Sequence, residues 1–199
     1  MTGHRKPEDR QRPDAVDQIA LAWSRERPGT PVESIGVITR VWRAAKLLGD
    51  ERRRTLSRLG IDGATLDLLS TLRRHGAPYE MTPAELKRAT LVTAGAISQR
   101  VVRAEAAGLV QAERTTGGRT LTVRLTDQGN RQIEDCVTRL LVHEDSLISH
   151  LSPQEREALT ELLRKFLDGL IERLGADTNP GQVGEPSSSM ATDPAARAH

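Results

Sequence analysis

Residues 81–126 read MTPAELKRATLVTAGAISQRVVRAEAAGLVQAERTTGGRTLTVRLT, and this stretch decides the fold. It opens with Thr82, Pro83, Ala84 and Glu85. Thr82 and Glu85 have the spacing of a capping box, in which each side chain bonds the backbone N–H of the other residue. Pro83 takes the first helical position, where a backbone N–H is not needed. A short helix is therefore predicted to begin here.

A second helix is predicted to begin near Thr93. Three of its apolar residues recur at helical spacing, namely Ile97, Val101 and Ala104. Gly108 is placed to end this helix as the left-handed residue after its last turn. A strand then begins at residues 109–110, and a glycine turn at 116–118 leads into a second strand. That second strand alternates apolar and polar residues over 120–125, as a half-buried strand does.

Helix, turn, helix and β-hairpin in this order predict a winged helix-turn-helix, of the mainly α (α+β) class. Such a unit places its second helix, the recognition helix, in the major groove of double-stranded DNA. Between Thr82 and Arg124 the sequence has seven basic residues against three acidic ones, a local charge of +4 (7 − 3), in a chain of net charge +2. A basic unit inside a nearly neutral chain favours contact with nucleic acid.

Composition limits the alternatives. A chain of 199 residues is one ordinary domain with tails, and with only 2% aromatic residues its core must be built from Leu, Val, Ile and Ala. The single cysteine, Cys136, excludes a disulfide within the chain. No apolar run approaches the roughly 18 residues of a membrane span, and the charged N-terminus lacks an apolar signal core. We expect a soluble, cytoplasmic protein with no membrane contact and no cofactor.

The domain organisation follows from the flanking sequence. Residues 1–14 and 175–199 have the composition of disordered tails. Residues 15–174 are expected to form one domain. Within it, 61–125 form the DNA-binding lobe, while 15–59 and 126–174 supply long apolar helices. A homodimer would bury those helices and place two recognition helices roughly 34 Å apart.

Periodicity predicts the helices outside the lobe. They cover about 15–27, 32–59, 61–74, 126–151 and 152–174, the last opened by a second capping box at Ser152 and Glu155. A short strand at 79–81 is expected to complete the wing sheet. Asp67 lies among four leucines of its helix, so it is either exposed at a helix edge or paired with a cation.

The DNA contacts are predicted from the recognition helix and its surroundings. Thr93, Ser98 and Gln99 carry groups that hydrogen-bond base edges, and Arg103 reaches phosphate or guanine. The alternative for Thr93 is that it only caps the helix. Outside the recognition helix, Arg119 is expected at the minor groove or a phosphate, and Lys87 and Arg88 at backbone phosphates.

The sequence resembles the multiple antibiotic resistance regulator (MarR) family of bacterial winged-helix repressors. The resemblance lies in residues 86–93, 97–101, 106–110, 123–126 with Gly129, and 151–155. It covers about residues 15–173. It implies a homodimeric repressor that binds a pseudo-palindromic operator and is released by a small molecule.

Residues 22–28, AWSRERP, resemble the extra N-terminal helix of the urate-responsive, PecS-type branch of this family. The resemblance implies that Trp23, Asp67 and Arg100 bind the effector. Ala112 stands where the branch has a second arginine, and Arg114, two residues on, lies on the same face of a regular strand. The pattern suits a small anionic or aromatic effector, and Ala112 in place of the second arginine counts against urate.

Arg100 has three interpretations: it reads DNA, it pairs with Asp67 inside the lobe, or it binds the effector. The last two are linked, because an anionic effector could compete for a buried Asp67–Arg100 pair and thereby move the recognition helix.

Two rival functions have weaker support. A redox switch would centre on Cys136, but this cysteine has the helical spacing of a buried thiol and the chain has no second cysteine. An enzyme would need a nucleophile or cofactor motif, and none is present. His143 and His150 are seven residues apart, about 10.5 Å along one helix, which is too far for one metal ion. We expect neither catalysis nor a metal.

Overall fold

The computed structural model of the chain describes residues 13–90, 92–114 and 121–175. The expected tails at 1–14 and 175–199 lie almost wholly outside these residues, and so does Arg119 of the wing tip. The elements, in chain order, are α1 (Ala15–Glu26), α2 (Glu33–Arg58), α3 (Gly63–His75), β1 (Glu80–Met81), α4 (Pro83–Thr90), α5 (Ala94–Ala106), β2 (Val110–Arg114), β3 (Leu121–Leu125), α6 (Asp127–Leu147) and α7 (Pro153–Leu174). The chain divides into two compact units, Met1–Arg52 and Arg53–His199, which we describe separately. The division into dimerisation helices and a DNA-binding lobe stays a prediction.

In the first unit, an ionic cluster holds the start of α1 against α2. Asp14 and Asp17 form a capping box, and Arg40 of α2 donates to both carboxylates, to Asp14 at 3.1 Å and to Asp17 at 2.8 Å. Arg40 also donates to the Gly36 carbonyl. The pKa of Asp14 is lowered chiefly by the backbone N–H of Asp17, and the pKa of Asp17 chiefly by the Arg40 guanidinium. Both aspartates are therefore held in the charged form.

In the second unit, α3, α4 and α5 pack on a three-stranded antiparallel sheet of order β1-β3-β2. The register pairs Met81 of β1 and Ala112 of β2 with the two sides of Val123. The core is aliphatic, and its fully buried side chains include Leu68, Leu69, Leu72, Leu86, Ile97, Val123 and Ile133. The fold is a winged helix-turn-helix of the mainly α class, as the sequence predicted.

The helix starts that depend on local capping were predicted correctly. Thr82 and Glu85 exchange the two bonds of a capping box, and so do Ser152 and Glu155. Gly108 has φ +71°, the left-handed conformation expected after the recognition helix. The short strand β1 also forms, and it pairs with β3.

Two predicted helix ends were wrong. α3 begins at Gly63 rather than at 61, because the Asp62 side chain accepts the Thr65 N–H as an N-cap. α6 ends at Leu147 and does not continue to 151. There the Ser146 hydroxyl donates to the His143 carbonyl and the Ser149 hydroxyl to the Ser146 carbonyl, while the backbone tightens into shorter-range bonds.

Apolar faces of α7 and α2 remain exposed in the single chain. None of the 22 residues of α7 is buried. Its large exposed side chains are Leu159, Leu162, Leu163, Leu167 and Leu174. On α2, Ile38, Trp42 and Leu48 are also exposed, whereas Leu56 near the end of the helix is buried. An apolar face at helical spacing normally packs against another element, and these faces have no such cover among the described residues.

Candidate nucleic-acid interface and internal ion pair

The recognition helix α5 has an inner and an outer face. Its inner face packs on α3, α4 and β2 through Ile97, Val101 and Ala104, which are all buried. Its outer face exposes Ser98, Gln99 and Arg103. Three of the residues predicted to contact DNA therefore lie together on one solvent-facing surface of one helix.

Thr93 lies at the N-terminus of this surface and has a structural role. Its hydroxyl oxygen accepts the Ala96 N–H at 3.2 Å, so Thr93 is the N-cap of α5. Ser98 donates its hydroxyl hydrogen to the Ala94 carbonyl at 3.1 Å. Both oxygens keep acceptor capacity on the exposed surface.

Arg103 is exposed near the C-terminal end of α5, and its charge is felt by Asp62 at the start of α3. Burial alone raises the pKa of Asp62. The hydrogen bonds from Thr65 and the nearby Arg103 cation outweigh that effect, so the pKa of Asp62 is lowered. Lys87 and Arg88 are exposed on α4, the first helix of the motif. The basic residues predicted to meet DNA thus extend from α5 onto α4.

Val102 is a member of the outer face that the sequence prediction missed. Its side chain is 64% exposed, beside Arg103 and one turn beyond Ser98 and Gln99. The signal that could have found it is its position three residues after Gln99, on the same side of the helix.

Arg100 points inward from the same helix. Its Nη1 donates to Oδ2 of Asp67 on α3 at 2.6 Å. The exposed fractions of the two side chains are only 8% and 15%. Of the three interpretations of Arg100, the structure shows the internal ion pair. The pair holds the inner face of α5 against α3 in surroundings where an unpaired charge is costly.

Arg114 and Ala112 lie on the same face of β2, because their pairing with Leu121 and Val123 continues without a bulge. Ala112 packs against the core, and Arg114 is exposed beyond it at the end of the strand. The N–H of Ala112 is accepted by the Glu105 carboxylate of α5 at 3.0 Å. Glu105 therefore ties the recognition helix to the wing.

Trp23 belongs to the first unit, where it lies in the last turn of α1 with half of its side chain exposed. The tryptophan expected to bind the effector is therefore not buried in the core of the first unit.

The end of α5 is joined to the start of α6 by Thr126. Its hydroxyl donates to the Gly108 carbonyl at 2.7 Å and accepts the Gly129 N–H at 3.0 Å. A Cβ at Gly129 would lie 2.0 Å from the Leu109 carbonyl oxygen, so only glycine fits there. The start of α6 is thereby held against the turn that follows the recognition helix.

A second junction joins α3 to α6. Arg73 of α3 forms an ion pair with Glu134 and donates to the Asn130 side chain, both on α6. Its guanidinium also stacks over the Tyr79 ring, 4.3 Å from the ring centroid. α6 therefore contacts the lobe at both α3 and α5.

Comparison with known proteins identifies the chain. The model of the MarR family matches residues 59–119, which contain α3 to α5 and β2. Over 157 residues the chain is 30% identical to the HTH-type transcriptional regulator PecS of Dickeya dadantii (strain 3937), covering 78% of this chain and 95% of PecS. The chain belongs to the MarR family. It is a DNA-binding transcription regulator, and members of this family are not enzymes.

Solved structures of MarR proteins have the same fold. A mutant of E. coli MarR complexed with operator DNA is 25% identical, with a TM-score of 0.53, covering 73% of this chain and 97% of that one. Bordetella bronchiseptica BpsR, described as regulated in DNA binding by 6-hydroxynicotinic acid, is 23% identical with the same TM-score, covering 66% and 93%. The second likeness shows the fold alone.

The structure also bears on the cysteine, on metal binding and on membrane-spanning helices. Cys136 is a buried cysteine on α6 that forms no disulfide. Among the described residues, no group of three or more His, Cys, Asp or Glu side chains could hold a metal ion. Within the same residues, no helix has both the length and the apolar character needed to cross a membrane.

Proposed function

We propose that this MarR-family chain is a cytoplasmic, homodimeric repressor that binds a pseudo-palindromic operator and is released by a small anionic or aromatic molecule. The observation that carries the proposal is the two-sided recognition helix. Its outer face presents hydrogen-bonding side chains to solvent, and its inner face holds a buried ion pair that a charged effector could disturb. The same helix then serves both operator recognition and regulation.

Support for a homodimer comes from α7. A helix of 22 residues with an apolar face and no buried residue is poorly stabilised in an isolated chain. Covering that face with a second copy would remove a large apolar surface from water. Two-fold symmetry would then present two α5 helices to one face of the DNA, as the operator's inverted repeat requires.

Support for effector binding comes from Asp67 and Arg100. A buried ion pair is stable only while both charges are compensated, so an anion that binds Arg100 must leave Asp67 with a new partner or a new position. Any such rearrangement acts on α3 and α5 together, because each helix carries one member of the pair. We include Arg114 and Trp23 as further effector contacts, on the basis of the sequence resemblance to the PecS-type branch.

The DNA-binding proposal is tested by selecting duplexes from a randomised library with the full-length protein. We expect an inverted repeat with half-site centres about one helical turn apart. Gln99→Ala should relax the preference at one position of each half-site, because a base-edge contact is lost. Glu161→Gln on the polar side of α7 is the matched control. Recovery of unrelated sequences would contradict the proposal.

The effector proposal is tested by titrating 6-hydroxynicotinate and urate into the complex of the protein with its selected duplex. Release of DNA by either compound should be lost in Asp67→Asn, while binding of the free duplex is retained. The partly exposed carboxylate of Glu80 offers a control, since the effector should release DNA from Glu80→Gln as it does from the wild type. Unchanged release in Asp67→Asn would refute a role of the ion pair.

The alternative of a redox switch at Cys136 is opposed by the burial of its sulfur, because oxidants attack exposed thiolates. It predicts that peroxide releases the operator from the wild type and not from Cys136→Ser. We expect the same binding with and without peroxide in both proteins.

A further inference from the structure

The outer face of α5 contains one large apolar side chain that no described residue of the second unit covers. Val102 is 64% exposed. It follows Ser98 by four residues and Gln99 by three, so the three side chains share one strip of the helix surface. The adjacent residue, Val101, is buried. Val102 is rotated by about 100° from it and cannot join the core.

Neither packing among the described residues nor helix propensity explains a valine at this position. Valine is β-branched and forms helices less readily than the alanines on either side of this segment. Among the described residues, the other large exposed apolar side chains lie on α1, α2, α6 and α7 or at the end of α6. Val102 alone lies in the helix-turn-helix, away from the helices that the proposed dimer would cover.

Operator DNA offers a partner of matching chemistry. In the major groove, thymine is marked by its C5-methyl group, the apolar feature that distinguishes a T·A pair there, and apolar side chains recognise it by contact. Ser98 and Gln99 precede Val102 on the same strip and supply hydrogen-bonding groups for the neighbouring base edges. A strip of two polar residues and one valine therefore fits a half-site in which a thymine lies next to hydrogen-bonded bases.

We propose that Val102 packs on the C5-methyl group of a thymine in each half-site and selects for that base. This inference rests on DNA binding through the outer face of α5. It adds a specificity residue that makes no hydrogen bond, and it assigns the chemical feature of the operator that this residue recognises.

The test removes the methyl group and nothing else. Each thymine of the selected duplex is replaced in turn, symmetrically in both half-sites, by deoxyuridine, and affinity for the full-length protein is measured by fluorescence anisotropy. One symmetric pair of replacements should weaken binding of the wild type by about fourfold per methyl group, or roughly fifteenfold for both. Replacements elsewhere in the duplex should have little effect.

Two variants identify the side chain responsible. Val102→Ser should bind the thymine and uracil duplexes equally, while Val102→Ile, which keeps an apolar surface, should still discriminate between them. Val102 is exposed, so neither change disturbs the core. If every uracil duplex binds the wild type as the parent does, or if Val102→Ser retains the discrimination, the inference is wrong. Selection of no common sequence would instead overturn operator recognition itself.

Discussion

Arg100 and Arg103 are three residues apart on one helix, yet they differ in burial and in hydrogen bonding. Arg100 is 8% exposed and bonded to Asp67, whereas Arg103 lies on the solvent-facing side. A charged residue is kept inside a lobe of this size only by a partner with good geometry, which Asp67 supplies. The residue type alone therefore does not decide which arginines of a recognition helix contact DNA.

Loss of one member of this pair should be costly. We expect Asp67→Ala to lower the free energy of unfolding by roughly 3–5 kcal/mol, because Arg100 would be left buried without a partner. The measurement is equilibrium urea unfolding followed by circular dichroism. Glu80→Ala, which removes the partner of the half-exposed Arg124, is the control and should cost less than about 1 kcal/mol. Equal losses for the two variants would show that the Asp67–Arg100 pair is not buried.

Gly129 gives a second prediction at this scale. Gly129→Ala should destabilise the protein by at least about 2 kcal/mol, since its Cβ would overlap the Leu109 carbonyl oxygen and force α6 away from the lobe. Thermal unfolding measures the effect. Gly95→Ala provides the comparison, because a Cβ there meets no atom within 4 Å and alanine favours the helix. A Gly129→Ala protein as stable as the wild type would contradict the close approach.

Among the elements, α1 depends on ionised aspartates for its attachment to α2. The pKa values of Asp14 and Asp17 are lowered from 3.8, so the stabilisation is complete above pH 3.8 and is lost as the pH falls through the lowered values. In a Trp42→Phe background, the emission of Trp23 reports on α1 alone. We expect the acid-induced change in Trp23 emission to have its midpoint below pH 3.8 in the Trp42→Phe protein and at a higher pH when Arg40→Gln is added. Equal midpoints in the two proteins would show that the ionic cluster does not attach α1 to α2.

The helix termini show how much of the structure can be predicted from the sequence. The helix starts at Thr82, Thr93, Thr126 and Ser152 were predicted because an N-cap side chain bonds a backbone N–H only two or three residues away in the sequence. The ends of α3 and α6 were missed where Asp62, Ser146 and Ser149 made local bonds that apolar periodicity does not register. Periodicity finds a helix, whereas side-chain bonds to the backbone decide where it begins and ends.

The candidate site was predictable only in part. The outer face of α5 follows from helical spacing, but the Asp67–Arg100 contact joins residues 33 positions apart and was one of three interpretations of Arg100. Val102 was missed, although its spacing from Ser98 and Gln99 places it on the same face of the helix. The contact between Gly129 and Leu109 follows from tertiary packing, which no local pattern encodes.

For the whole molecule, dimerisation should depend on the apolar face of α7. We expect Leu162→Glu to shift the protein towards monomer in sedimentation velocity and to weaken operator binding in parallel, because a charge would enter the proposed interface. Lys165→Glu introduces the same side chain on the polar side of α7 and should leave the dimer intact. A Leu162→Glu protein that remains dimeric would place the interface elsewhere.

The recognition helix is proposed to meet DNA with one face and to keep Arg100 on the other, and the salt dependence of operator binding tests this most directly. If Arg103 contacts a phosphate, the slope of log K against log salt should become shallower by roughly 2 per dimer in Arg103→Gln, because one proposed phosphate contact is removed from each chain. It should stay at the wild-type value in the double variant Asp67→Asn with Arg100→Gln, which neutralises the internal pair and keeps a hydrogen bond. A double variant whose slope falls as that of Arg103→Gln does would show that Arg100 contacts DNA, and would contradict the account.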